Sequence, residues 1–220
     1  MMTELTAADG HKLDCWIEPA QGDRRGGIVI LQEIFGVTDQ LKGVAEKYAK
    51  LGYEVAVPAL FDRQKKGAVI PFNEGPVGRD LMLASNLDQT MADIDAAVAA
   101  LTSNGGKVGV IGFCWGGGLA IRAAQVSNIA AAVSFYGTRL PQYLNDPLKV
   151  PVQGHWGTED SHAPAEMLAE AKAYYPELDI YTYDGVGHAF ANDHRPADYA
   201  EKDADLAHSR TISFFDQHLS

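Results

Sequence analysis

Short apolar segments that alternate with helical periodicities constrain this chain more than any other feature. Residues 28–31, 54–57, 108–111, 129–135 and 150–152 are brief, largely apolar runs with no hydrophobic–polar alternation. Strands buried on both faces read this way. Residues 180–183 are a weaker candidate for the same sheet. Between these runs, Leu41, Val44, Ala45 and Tyr48 recur at helical spacing, and Gly52 closes that segment. Leu87, Met91, Ile94, Val98 and Leu101 mark a second helix, which Asn104-Gly105-Gly106 stops. Pro164 suits a first helical turn ahead of Met167, Leu168 and Ala171, with Pro176 as its end. Ile212, Phe215 and Leu219 mark a C-terminal helix.

Strands alternating with helices of this length specify an α/β fold, a mainly parallel sheet with helices on both faces. Near the N-terminus, Leu13, Cys15 and Ile17 alternate with Lys12, Asp14 and Trp16, which predicts a half-exposed antiparallel edge strand. Cys15 falls on its apolar face and reads as core packing. No linker, repeat or low-complexity segment interrupts the chain, so residues 1–220 read as one domain. The longest irregular stretch, residues 61–78, is a candidate for the rim of a pocket.

At 220 residues, 46% of them hydrophobic, the chain can bury a sizeable core. No apolar run reaches the length of a membrane span. Residues 1–10 lack a basic segment and an apolar core, so no secretory signal is expected. Cys15 and Cys114 are the only cysteines, a poor basis for a disulfide framework, and a reducing, cytoplasmic setting is the default. The net charge of −11 makes nucleic acid and anionic membranes poor partners. It would also repel an anionic substrate unless a local basic patch intervened. A monomer is the default expectation.

The chemistry-bearing motif is Gly112-Phe113-Cys114-Trp115-Gly116, between the apolar run 108–111 and the small-residue stretch 117–124. Strand, tight turn and helix with Gly-x-nucleophile-x-Gly at the junction form a nucleophile elbow, here with cysteine where serine is commoner. The N-terminus of the following helix turns free N–H groups toward the sulfur and favours negative charge there. A buried cysteine in a Gly-rich junction would share the pattern, so its partners matter.

Thiolate attack on an acyl group needs a base, and the base needs an orienting group. In α/β sheets such residues sit on loops at the carboxyl ends of strands. The loop after residues 150–152 carries Gly157-Thr158-Glu159-Asp160, and the loop after 180–183 carries Gly185-Val186-Gly187-His188. Nucleophile, acid and histidine follow in the α/β-hydrolase order. Asp160 is the first choice for the acid and Glu159 the second; Asp160 also suits a helix N-cap before Pro164. His188 is the base, while His155, His162, His194 and His208 read as structural or solvated. His155, His162 and Asp160 match no familiar metal-ligand spacing, so no metal is expected. The loop Gln32-Glu33-Ile34-Phe35-Gly36 follows another strand, the place from which such enzymes supply one oxyanion-hole N–H. The two donors are assigned to the backbone of Ile34 and Trp115.

These motifs together resemble the dienelactone hydrolase (carboxymethylenebutenolidase) family of the α/β-hydrolase superfamily over nearly the whole chain. The resemblance rests on Gln32-Glu33-Ile34-Phe35-Gly36, Gly112-Phe113-Cys114-Trp115-Gly116-Gly117, Asp160 and Gly187-His188-Ala189-Phe190. It implies a single α/β-hydrolase domain, a Cys114–Asp160–His188 triad, no cofactor, and a small lactone or ester as substrate. It further implies that Glu33 hydrogen-bonds the resting thiol and shifts when substrate arrives. The family's arginines hold a substrate carboxylate, one of them four residues past the catalytic histidine. That position is Asn192 here. Arg195 is the nearest replacement, Arg79 the counterpart of the other arginine, and Phe35 a further substrate-binding candidate.

The leading expectation is therefore hydrolysis of a small ester or enol lactone through a cysteinyl acyl-enzyme. A general carboxylesterase or thioesterase on neutral acyl substrates is the alternative that Asn192 keeps open. A non-catalytic binding protein with a redox-sensing Cys114 is the alternative of another class.

Overall fold

The computed structural model describes residues 1–219. In chain order the elements are β1 (Met2–Thr6), β2 (Lys12–Glu18), β3 (Gly26–Leu31), α1 (Asp39–Ala49), β4 (Tyr53–Pro58), α2 (Gly75–Ala84) and α3 (Leu87–Thr102). There follow β5 (Val108–Phe113), α4 (Trp115–Val126), β6 (Ala131–Phe135), a 3-10 turn at Leu140–Tyr143, β7 (Val152–Gly157), α5 (Ala165–Tyr174), β8 (Asp179–Tyr183) and α6 (Glu201–Leu219). The strands are hydrogen-bonded in the order β1-β2-β4-β3-β5-β6-β7-β8. β1 and β2 pair antiparallel, as do β2 and β4, while β3–β4, β6–β7 and β7–β8 are parallel.

The α/β class and the antiparallel N-terminal edge match the sequence reading. The edge strand itself is β1, one strand earlier than the alternation in β2 indicates. Met2, Thr3, Glu4 and Thr6 are exposed, so β1 carries no apolar face to announce it. Among the described residues no helix is long and apolar enough to cross a membrane.

Two compact units divide the chain: residues 1–109 with Leu219, and residues 110–218. In the first, β3 is buried along its whole length. The predicted stripe Leu41, Val44, Ala45 and Tyr48 is the buried face of α1, and Thr38 caps that helix by accepting the Leu41 N–H at 3.3 Å. Met91, Ile94, Val98 and Leu101 are the buried face of α3.

The loop after β3 is pinned by the irregular segment that follows β4. The Leu60 N–H donates to Gln32 Oε1 at 3.0 Å, and the Ile70 N–H donates to the Phe35 carbonyl at 2.9 Å. Phe72 meets Phe35 edge-on at 4.9 Å. Gly78 has no room for a side chain, because a Cβ there would overlap the Ile34 carbonyl. The segment predicted as a loop through Gly78 turns helical at Gly75, with Pro76 in the first turn. Only Gly78 of α2 is buried, so no apolar stripe marks this helix in the sequence.

In the second unit, all six residues of β7 are buried, including Gln153 and His155. The strand begins two residues later than predicted and runs on to Gly157. Its polar centre conceals it: His155 is satisfied inside the core by Tyr183, Gln153 and Thr211. In α6, Ala204, Ala207, Thr211 and Phe215 form a buried stripe, so the helix extends well upstream of the three residues that predicted it.

Candidate active site

β5 ends in the predicted elbow. Cys114 is the cap residue of α4 and adopts φ 55° and ψ −115°, a region that costs a non-glycine residue about 1–3 kcal/mol. Its surroundings hold it there. The Cys114 N–H donates to the Phe135 carbonyl at 3.0 Å, and the Cys114 carbonyl accepts N–H groups from Gly117 at 3.0 Å and Thr138 at 3.1 Å. A Cβ on Gly112 would overlap the Gly116 backbone, which explains the first glycine of the motif. Four non-glycine residues among those described have positive φ: Cys114, Tyr136, Arg139 and Ala189. Three of them lie at the elbow, against the His188 ring or next to His188 in the chain.

The two other predicted residues converge at the ends of β7 and β8. The Thr158 N–H donates to the Tyr183 carbonyl at 2.9 Å, and the Glu159 N–H to the Val186 carbonyl at 3.0 Å, which ties the two loops together. Asp160 is buried and Glu159 exposed. Asp160 Oδ2 stands 2.8 Å from His188 Nδ1, so Asp160, the first choice, is the carboxylate on the imidazole. Its Oδ1 accepts the backbone N–H of His162 at 2.8 Å. With Nδ1 engaged, the hydrogen bond between His188 and the Cys114 side chain falls to Nε2.

Burial is the largest single influence on His188 and opposes its charge. The hydrogen bonds to Asp160 and Cys114, with the charges of both, outweigh burial and raise His188 to about 10. An acid, an imidazolium and a sulfur in line can move one proton to and from a reacting group. Two rings outside the expected site residues border His188. Tyr136 lies 5.1 Å away at 66°, and His162 lies 4.6 Å away at 63°. The signal for Tyr136 was its place at the exit of β6 before Gly137; for His162 it was the two-residue offset from Asp160.

The remaining candidates are placed as follows. Glu33 is buried, 4% exposed, and Phe35 is buried in the loop after β3. Ile34 lies in the same loop, half-buried, and Trp115 opens α4, buried. Asn192 is fully buried and its Oδ1 accepts the His194 N–H at 3.1 Å. Arg195 pairs with Asp198 at 2.8 Å, and its charge reaches His162. Arg79 projects from α2, largely exposed, 3.8 Å from Asp80. Among the described residues no group of three or more His, Cys, Asp or Glu is arranged to hold a metal ion.

The chain is similar to known proteins over nearly its whole length. The profile of the dienelactone hydrolase family matches residues 15–219. A carboxymethylenebutenolidase of Pseudomonas putida is 29% identical, over 97% of this chain and 96% of its own. A candidate carboxymethylenebutenolidase of Yersinia pestis is 31% identical, over 96% of this chain and 86% of its own. The solved structure of a candidate dienelactone hydrolase from Klebsiella pneumoniae superimposes with a TM-score of 0.85 at 25% identity, covering 99% of each chain. The chain belongs to the dienelactone hydrolase family of the α/β-hydrolase superfamily, and is a hydrolase acting on esters or lactones.

Proposed function

We propose that the protein cleaves a small enol lactone or ester through a cysteinyl acyl-enzyme on Cys114, as one α/β-hydrolase domain. The observation that carries this reading is the hydrogen-bonded line from Asp160 through His188 to Cys114, with the imidazole held in its charged form. The attacking species in such chemistry is the thiolate.

The thiolate sulfur bonds to the acyl carbon, and the carbonyl π pair moves onto oxygen. The sequence assigns the N–H groups of Ile34 and Trp115 to that oxyanion, each worth about 3–4 kcal/mol at such a site. As the C–O bond breaks, His188 gives its Nε2 proton to the leaving oxygen. The neutral imidazole then takes a proton from water, whose oxygen attacks the thioester and releases the acid. Asp160 keeps the ring in the tautomer and orientation that both steps need. The family resemblance assigns Glu33 to the resting thiol, whose proton it takes as the thiolate forms and returns at the end of the cycle, and Arg79, with Arg195 as a helper, to the carboxylate of an anionic lactone.

Turnover of dienelactones, neutral lactones and aryl esters by wild type and Cys114→Ala tests the nucleophile. Loss of all hydrolysis in the variant is expected, and retained turnover refutes the assignment. In the same panel, Arg79→Ala should raise KM for the anionic lactone by about 10- to 100-fold and spare a neutral ester. Equal damage to both substrates would make Arg79 structural.

A further inference from the structure

Asp160 organises two imidazoles. One oxygen accepts from His188 Nδ1, and the other accepts the His162 backbone N–H, both at 2.8 Å. That second bond sets the His162 ring against His188, centroids 4.6 Å apart and planes inclined at 63°. His188 is largely buried whereas His162 is exposed. Nothing in the hydrolytic cycle described above uses the second ring.

We propose that His162 is a positioning residue for His188 in that cycle: its neutral ring steadies the His188 imidazole, and its protonation in acid withdraws the pair from catalysis. The inference rests on the hydrolase reading, because it assigns His162 a part in the work of the same base.

Asp160 and Cys114 fix the two nitrogens of His188 but leave the ring free to rotate about the line through them. Rings packed at a steep angle restrict that rotation, since aromatic edges prefer faces. His162 and Tyr136 both meet His188 this way. The groups that act on the charge of His162 are burial, His188 and Arg195, which disfavour it, and Asp160, which favours it. The sum lowers His162 below its ordinary range, so the ring is neutral near pH 7. In acid it gains a positive charge beside an imidazolium that Asp160 and Cys114 already hold charged. Like charges at this separation repel. The contact that steadied His188 then pushes it out of line.

The test is the pH dependence of kcat and KM on a neutral ester for wild type, His162→Phe and His162→Ala. The acid limb of wild type should be steeper than about one decade per pH unit, and that of His162→Phe should reduce to a single ionisation. His162→Ala should lower kcat roughly tenfold with little change in KM, and His162→Phe should restore most of the loss, because it returns a ring but not a charge. Identical acid limbs in wild type and His162→Phe overturn the proposal, as does an undiminished kcat in His162→Ala. A second measurement needs no turnover: NMR titration of His162 in wild type and in His188→Gln. The His162 pKa should rise in the variant, where the positive neighbour is gone. An unchanged titration overturns the coupling. Absence of hydrolysis in wild type would instead refute the hydrolase reading, and the titration would still decide the coupling.

Discussion

His155 is fully buried and His188 largely so, both within one unit of the fold, and they end in opposite charge states. His155 lies in the middle of β7, fully buried, and is lowered well below the usual 6.5, first by burial and then by the charges of His208 and Arg210. His188 lies at the exit of β8 and is raised to about 10 in spite of burial. The difference is in the partners. The hydrogen-bond partners of His155 are neutral: Tyr183 at 2.8 Å, Gln153 at 3.0 Å and Thr211 at 3.2 Å. Thr211 already donates to the Ala207 carbonyl, and Tyr183 already accepts from Arg210, so the His155 Nε2 donates and its Nδ1 accepts. A single neutral tautomer satisfies the whole network. His188 has a carboxylate on one nitrogen and an ionisable sulfur on the other. Desolvation alone would keep both rings neutral; the carboxylate keeps one of them charged.

The strongest way to break this comparison is to give His188 a neutral partner as well. Asp160→Asn should lower kcat by about three to four orders of magnitude, since the imidazolium loses its counter-charge and the ring is offered the wrong tautomer. NMR titration should find His188 well below its wild-type value, and the fold should survive, since asparagine keeps the size of the side chain. Glu159→Gln is the matched control on an exposed neighbour. Equal damage from both, or an active Asp160→Asn, would remove the carboxylate as the reason for the difference.

The same pair shows what was legible in the sequence. Cys114, Asp160 and His188 each follow a strand that turns on glycine, and the sheet brings such strand ends together. A one-dimensional pattern therefore locates three residues far apart in the chain. Between them, β7 is seen at only its first apolar position, because Gln153 and His155 look like surface residues until their partners are known. Those partners lie on β7, β8 and α6, and pairing across that distance leaves no local trace. β1 and α2 are hidden for a simpler reason: neither buries an apolar stripe. The contact of His162 with His188 leaves no sequence signal, because an exposed histidine in a loop is ordinary until a ring is found 4.6 Å away.

A second way to sharpen the comparison is to remove the neutral histidine. His155→Leu keeps the volume but strands the Gln153 oxygen inside the core. Thr211 retains the Ala207 carbonyl, so the loss falls on the Gln153 oxygen and on the Tyr183 hydroxyl, which keeps Arg210 as a donor but loses the acceptor of its own proton. The expected cost is about 1–3 kcal/mol in urea unfolding, with KM for an ester unchanged. A matching loss of kcat would mean that the β7 network positions His188 and that the two histidines are not independent.

The smallest effect is the most specific, because the two histidines should impose opposite pH dependences on stability. His155 has its folded pKa depressed below the ordinary 6.5. Above pH 6.5 neither the folded nor the unfolded ring takes a proton, and the stabilisation is complete. As pH falls below that value the unfolded chain binds a proton that the folded core refuses. Stability is then lost at up to about 1.4 kcal/mol per pH unit, until the depressed folded pKa is reached. His188 works in reverse: its folded pKa is raised, so its contribution is complete below 6.5 and fades as pH climbs through about 10. The comparison of wild type with His155→Leu isolates the first limb, since His162 and His188 titrate alike in both. The destabilisation caused by His155→Leu should shrink by about 1 kcal/mol or more between about pH 7.5 and about pH 5.5. A difference that stays constant over that range would mean that His155 accepts its proton as readily folded as unfolded. Burial among neutral partners would then not be what separates the two rings.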